Sequence, residues 1–371
     1  MGLRAKTKTF LFRLLSFSNI LVGIVLFFSY LSKFIAPSFF WPAAFLALLF
    51  THLLIITICY FPVWFFIKKK MMYVSLISIL LVSPNILNIF QISFPKSENE
   101  NSFKLVSYNV RLFDLYNWTE NHVTRDKILD FLKEENGDVL CLQEFYHSTK
   151  KETGFNMVDK LQEKLNKPYK HVKFTTHLRN EDFWGIATFS NYPIVNEGQI
   201  IFGKRYNNTC IFSDIVFKED TFRVYNAHFA SIQFKPEDYK LINEINNDEE
   251  SENFINRSLQ IAKRMKKAFV EREHQVNLVL EHIKTSPYPS LLCGDFNDTP
   301  TSYSYNLAED FLCDAFKESG NGRGKTYIGD FPSFRIDYIW HTPSIKSTGY
   351  VTHPEKLSDH KAISCEIEIL D

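Results

Sequence analysis

The stretch Gly294-Asp295-Phe296-Asn297-Asp298 places two carboxylates and an amide directly behind the apolar run Ser290-Leu291-Leu292-Cys293. Carboxylates beside a core are costly unless they have partners or a metal. Alone, the stretch also reads as an Asp/Asn-rich turn that needs no chemistry. Repetition separates the two readings. Asn109, Glu144 (after Gln143), His228, Asp337 and the pair Asp359-His360 also sit at the ends of, or within, apolar segments. Singly, Glu144 reads as a solvated surface acid and His228 as a satisfied core histidine. As a group they change meaning, because clustered carboxylates repel and are stable chiefly around a cation. Oxygen ligands without cysteine favour a hard ion, Mg2+, Mn2+ or Ca2+. Histidines that are not ligands can donate to an anion, so the set suits a phosphate ester.

These residues need strands that end at one rim. Phe103–Asn109 reads as a strand closed by Asn109. Helical spacing over Arg125–Glu135 is stopped by Asn136-Gly137, and a second strand, Asp138–Glu144, ends in Gln143 and Glu144. A helix over 153–166 follows, then a strand over 184–190 into the turn Asn191-Tyr192-Pro193. Further strands are expected at 199–203, 208–217 and Thr221–Phe229, the last presenting Asn226 and His228. The acidic segment 235–256 reads as an exposed loop or loosely packed helix that could act as a lid. A long helix over 254–283, with a break near His274, leads to the opening stretch. Ser319–Gly324 reads as a flexible glycine loop within reach of substrate, and Arg335–Trp340 and Ala362–Ile369 as the last strands.

The net charge of zero over 371 residues conceals a division. Residues 1–99 carry nine Lys/Arg and one acid, whereas the remainder carries 33 basic and 41 acidic residues. An acidic body argues against binding nucleic acid by charge alone. The six cysteines show no CxxC or zinc spacing and read as buried thiols. Three apolar runs, 10–35, 39–67 and 71–92, are each long enough to cross a bilayer at ~20 residues per helix. The first is too long for a signal peptide and lacks a cleavage site. Arg4, Lys6, Lys8 and the Lys68-Lys69-Lys70 loop mark the cytoplasmic side. The expected organisation is therefore a multi-pass membrane anchor over 1–95, a polar linker over 96–102 and an extracytoplasmic body over 103–371. No specific protein partner is implied.

The ordered set Ser-Tyr-Asn109, Leu-Gln143-Glu144, Asn-Ala-His228, Gly-Asp295-Phe-Asn297-Asp, Arg-Ile-Asp337-Tyr and Ser-Asp359-His360 resembles the endonuclease/exonuclease/phosphatase superfamily across residues 103–371. The resemblance implies a four-layer α/β/β/α sandwich and divalent-metal-dependent cleavage of a phosphoester by water. It assigns Glu144 to the metal (Mg2+ or Mn2+), with Asn109 beside it and Asp359 assisting. It makes Asp295 the residue that orients and deprotonates water, Asn297 a phosphate holder, and Asp337 the partner that polarises His360. His228 and His360 would bind the scissile phosphate. Two positions depart from the pattern of the apurinic endonucleases in this superfamily. Arg111 stands where they carry an acid, and His228 where they have a tyrosine-containing motif. The histidine is more similar to deoxyribonucleases of the pancreatic type, sphingomyelinases and inositol-polyphosphate phosphatases, and the apolar head speaks against DNA repair. The reading is a membrane-anchored phosphodiesterase acting on phospholipid head groups, nucleic acid or a small phosphodiester. A phosphomonoesterase on a lipid or sugar phosphate, or an inactive binding module tethered to the membrane, are the alternatives.

Overall fold

A computed structural model of the chain has long helices where residues 10–67 are apolar all round, and strands over the apolar segments that end in the polar groups named above. The structure describes residues 3–93, 101–203, 208–232, 251–329 and 334–370. The chain divides into two units, residues 1–89 with 299–306, and residues 90–298 with 307–371.

The first unit is built on α1 (Leu3–Leu31), a short α2 (Pro37–Phe40), α3 (Pro42–Ile67), α4 (Lys69–Leu81) and α5 (Ser83–Ile89). Thr7–Phe34 and Pro42–Ile67 are long and apolar enough to cross a membrane; α4 and α5 make a third candidate if taken as one span bent by 61°. The expectation over 71–92 was one span; the bend falls at Val82, two residues before Pro84, which lacks the N–H that would continue the ladder. Large apolar side chains such as Phe10, Phe17 and Phe66 point outward, 64, 64 and 84% exposed. Polar groups instead face neighbouring helices. Ser75 donates to Asn19 Oδ1 at 3.0 Å, and Ser29 donates to the Leu46 carbonyl at 2.6 Å, the pairing such groups need where water is absent.

The second unit holds two six-stranded sheets, each with helices on its outer face, which is the expected sandwich. One sheet contains β1 (Ser102–Asn109), β2 (Val139–Ser148), β3 (Tyr169–Leu178), β4 (Asp182–Ser190), β11 (Ile345–Thr352) and β12 (Ile363–Ile369) in the order β11-β12-β1-β2-β4-β3. The other contains β5 (Ile194–Ile200), β6 (Thr209–Phe217), β7 (Asp220–His228), β8 (Ser290–Asp295), β9 (Cys313–Asp314) and β10 (Asp337–His341) in the order β5-β6-β7-β8-β10-β9. Among the described residues the α-helices of this unit are α6 (Thr124–Glu135), α7 (Met157–Leu165), α8 (Ser251–Lys284), the C-terminal part of α9 (Tyr303–Glu309) and α10 (Ala315–Ser319).

The central strands are apolar on both faces because both faces are covered. Phe103, Leu105, Val139 and Cys141 meet Val224, Leu291, Cys293 and Ile339 between the sheets. Val106, Tyr108, Leu140 and Leu142 on the opposite face of the first sheet pack with Ile128, Leu132 and Leu161 of α6 and α7. On the second sheet α8 supplies His282, whose Nδ1 lies 2.8 Å from the Tyr225 hydroxyl.

The differences from expectation have local causes. The helix over 254–283 is unbroken at His274, since nothing there removes a hydrogen bond. The strand placed at 199–203 runs earlier, over Ile194–Ile200, and the helix placed at 153–166 narrows to Met157–Leu165. Asp337 opens its strand rather than lying inside it. Most of the lid segment 235–256 lies outside the described residues; 251–256 belong to α8. The glycine loop is tied down: Gln91 and Gly322 exchange backbone hydrogen bonds of 2.9 and 2.8 Å, and Ser93 N–H donates to Asn321 Oδ1 at 2.8 Å.

Candidate active site

Period two explains most of the site. Along β1, Phe103 and Leu105 face the other sheet, and Asn109 continues that series at the strand end. The same holds for His228 after Phe222 and Val224, for Asp295 after Leu291 and Cys293, and for Asp337 before Ile339. The parallel pairings β1·β2 and β7·β8 bring their C-terminal ends to the same rim, with Asn109 opposite Gln143 and His228 opposite Asp295. Antiparallel β10 begins there too, so Asp337 registers with Asp295.

Glu144 is the exception. Alternation after Leu140 and Leu142 would turn it toward α6 and α7, away from Asn109. The register between β2 and β4 shifts between Leu142 and Phe145, and Glu144 adopts φ 47°. This bulge redirects the carboxylate into the cleft, where Asn109 Nδ2 donates to Glu144 Oε1 at 3.2 Å. Bulges beside active sites commonly re-aim one side chain.

Asp295 is the hub. Its Oδ2 accepts from Asn109 Nδ2 and from Asn297 Nδ2, both at 3.1 Å. Its Oδ1 accepts from the Asn297 backbone N–H at 2.8 Å, which φ 52° at Asn297 turns inward. His228 Nε2 and His360 Nε2 lie 3.6 and 3.7 Å from Oδ2. On the other ring nitrogen, His360 Nδ1 is 2.9 and 3.1 Å from the two Asp337 oxygens. Asp359 stands at the edge of the group, with Oδ2 3.3 Å from Arg111 Nε. Asn109, Glu144, His228, Asp295, Asn297, Asp337 and His360 are thus in one cluster, and Asp359 adjoins it through Arg111.

The electrostatics follow from burial in a crowd of acids. Burial, reinforced by the Asp337 charge and opposed by the histidines, pushes the Asp295 carboxyl up to about 6. Glu144 is also raised, by desolvation and then by Asp359, although 35% of its side chain meets solvent. Burial holds His228 below the ordinary imidazole value. Burial would lower His360 as well, but Asp337 and Asp295 outweigh it and hold the ring charged. His228 Nε2 is buried with no hydrogen-bond partner, 3.8 Å from Glu144 Oε1. Among the described residues, one ligand atom each of Asp295, Asp337 and His360 lie within 4.8 Å of one another, and Glu144, Asn109 and Asp359 add oxygens of the kind hard divalent ions take.

Supporting residues complete the site, among them Thr326, which nothing in the sequence marked. Gln143 Nε2 donates across the sheets to Asn226 Oδ1 at 2.7 Å and forms the floor. Thr326 Oγ1 accepts the N–H groups of Ile336 and Asp337 at 3.0 and 3.1 Å. Ser358 Oγ donates to the Asn109 carbonyl at 2.8 Å, which fastens the Asp359-His360 loop. Asp298, assigned no role from sequence, lies 3.8 Å from the buried Arg272 guanidinium. Among the described residues Cys313, Glu318 and His341 also converge. There, however, Glu318 Oε2 already accepts from Ser347 N–H, Ser347 Oγ and His341, so the group is closed.

A model of the endonuclease/exonuclease/phosphatase family matches residues 106–360, and a family described only as a domain of unknown function matches residues 12–89. No curated protein matches the chain. An endonuclease/exonuclease/phosphatase from Beutenbergia cavernae is similar in fold at 15% identity and TM-score 0.53, with 73% of this chain and 72% of that one covered. The human nocturnin catalytic domain with bound sulfate anion is 17% identical at TM-score 0.51, covering 75% and 96%. A mannosyl-6-phosphatase from Bacteroides thetaiotaomicron is 18% identical at TM-score 0.50, covering 72% and 99%.

Proposed function

This chain belongs to the endonuclease/exonuclease/phosphatase family, and from that premise we propose that it is a membrane-anchored phosphodiesterase dependent on Mg2+ or Mn2+. The observation that carries the reading is the hub at Asp295, a buried carboxylate held at a raised pKa between two histidines of opposite charge tendency. Glu144, Asn109 and Asp359 would hold the cation. When bound, the cation supplies positive charge to the phosphate oxygens as negative charge grows on them.

The chain's own residues then divide the work. Asp295 accepts a proton from the attacking water, and a carboxylate with a pKa near 6 is a better base than an ordinary one. The water oxygen forms a bond to phosphorus while the ester P–O bond opposite breaks and the leaving oxygen takes a proton from solvent. His360, charged and fixed by Asp337, donates through Nε2 to a phosphate oxygen; His228 Nε2 offers a second contact. Asn297 holds Asp295 in place and adds an amide beside the phosphate. The substrate class is a phosphodiester on a lipid head group, a nucleic acid or a small molecule. The nocturnin domain's bound sulfate is consistent with an oxyanion seat in this fold.

The test uses the full chain in detergent with bis(p-nitrophenyl) phosphate and p-nitrophenyl phosphate. Diester hydrolysis should require Mg2+ or Mn2+, vanish with EDTA or Glu144→Ala, and fall by ~10²–10³ in His360→Ala. Hydrolysis that survives chelation or both substitutions sinks the reading; preference for the monoester converts it to a phosphomonoesterase.

The basic flanks Arg4–Lys8 and Lys68–Lys70 support an anchor with its N-terminus in the cytoplasm and the catalytic unit outside. A C-terminal reporter that works only in the cytoplasm should be inactive; its activity would reverse the orientation.

A further inference from the structure

Arg111 has no part in the scheme above, yet the chain spends strain to place it. Arg111, Leu112, Phe113 and Asp114 have φ of 43, 54, 55 and 59°, a full turn in the left-handed region without a glycine. Each such residue costs about 1–2 kcal/mol. The turn survives because it is anchored at several points. Phe113 is buried with its ring 5.4 Å from that of Phe145, the neighbour of Glu144. Asp114 accepts from the Thr119 hydroxyl, and its carbonyl accepts from Asn117 N–H at 2.8 Å. The Arg111 N–H donates to Asn109 Oδ1 at 3.1 Å. An outlier held this firmly points toward function.

What the turn delivers is a guanidinium with two seats. One face lies 4.3 Å over the Trp118 ring; Nε is 3.3 Å from Asp359 Oδ2. The pair is half-open, with 32% and 22% of the two side chains exposed. Trp118 and the adjoining Tyr116 are exposed by 42% and 62%, their rings 5.1 Å apart. An arginine stacked on an indole keeps its edge free to fork onto an oxyanion.

We propose that Arg111 is a substrate-binding residue that exchanges Asp359 for a phosphate oxygen, with Trp118 as the fixed surface on which it turns. This rests on the phosphoesterase reading of the same site. Without substrate, the guanidinium neutralises Asp359 and competes with the divalent cation for it. With substrate, the guanidinium moves to the phosphate and leaves Asp359 to the cation side of the site. Metal and substrate binding are then linked through one side chain, and its removal must affect them in opposite directions.

The experiment measures Mn2+ binding by electron paramagnetic resonance on the full chain without substrate, and KM and kcat with bis(p-nitrophenyl) phosphate. Arg111→Ala should tighten Mn2+ on the order of tenfold, because a competing positive charge is gone. It should raise KM by about tenfold to a hundredfold with a smaller change in kcat, as loss of a charge-assisted hydrogen bond does. Arg111→Lys should return Mn2+ affinity toward wild type while recovering only part of KM, since lysine carries the charge without the fork. Trp118→Ala should raise KM and leave Mn2+ affinity unchanged. Weaker or unchanged Mn2+ binding in Arg111→Ala, in protein whose melting temperature shows it folded, overturns the proposal; so does an unchanged KM. If Arg111→Ala does not fold, Arg111→Gln, which removes the charge and keeps most of the length, should show the same tighter Mn2+ and higher KM, and failure of either overturns the proposal. Wild type that neither binds Mn2+ nor hydrolyses the diester would instead remove the underlying reading.

Discussion

The two sheets meet at one rim but contribute different chemistry by different backbone means. The sheet built on β1 and β2 brings Asn109 and Glu144, the oxygen donors proposed for the cation. The sheet built on β7, β8 and β10 brings His228, Asp295 and Asp337, the groups proposed to move or hold protons. In the first, the critical carboxylate is aimed by a bulge at a non-glycine residue in the left-handed region, Glu144. In the second, aim comes from simple alternation, and the strand can turn because Gly294 takes φ 134° against the neighbouring strand. The difference teaches that the proposed metal half is a strained device and the proton half a relaxed one. Damage to the two halves should therefore look different.

The largest separation is between Asp295→Asn and Glu144→Gln. Asp295→Asn should lower kcat by ~10³ or more by removing the base while Mn2+ still binds; Glu144→Gln should lose Mn2+ binding itself. Calorimetry beside turnover measures both, and equal loss of metal in the two variants would erase the division. Next is the relaxed half's dependence on one missing side chain. A Cβ at Gly294 would lie 1.9 Å from the Ala227 carbonyl oxygen, so Gly294→Ala should destabilise the fold by about 3 kcal/mol or more. Urea unfolding checks this; a change under 1 kcal/mol would mean that β7 and β8 can part easily.

The smallest effect is in pH. With Asp295 pushed up to about 6 from the usual 3.8 in the metal-free chain, and drawn back toward the usual value by a bound cation, kcat/KM should fall about tenfold per unit as pH drops through an inflection no higher than about 6. Stability has the opposite sign. The folded metal-free chain keeps a proton that the unfolded chain releases near 3.8, so this contribution is present at low pH and lost as pH rises through about 6. A rate profile flat to pH 4 would assign the base elsewhere.

The parts of this fold that showed in the sequence are those where burial and chemistry coincide. Asn109, His228, Asp295 and Asp337 stand out because polar groups interrupt runs that burial on both faces keeps apolar. The edge strands β3 and β11 did not show. They are covered on fewer sides, and their Lys170, Lys173, Thr175, Lys346 and Thr348 leave no apolar run to read. The buried guanidiniums were equally hidden. Arg335 pairs with Asp314 at 2.8 Å with both side chains 1% exposed, yet in a sequence each reads as surface. Arg111 was noticed only as a departure from a motif, because a left-handed turn of L-residues carries no glycine to announce it. The glycine loop erred in the other direction: its glycines permit a tight backbone bridge, and flexibility was inferred from composition alone.

That bridge bears on where the second unit can be cut. The polar stretch ahead of β1 invites a boundary near residue 101, but the unit begins at Phe90, and Gln91 and Ser93 are the partners of Gly322 and Asn321. Further along the same loop, Thr326 accepts the Asp337 N–H and Tyr327 bridges His360. A fragment starting at 101 would release that loop at its outer end, two short hydrogen-bonded steps from the proposed catalytic histidine; one starting at Phe90 keeps the clasp that holds it.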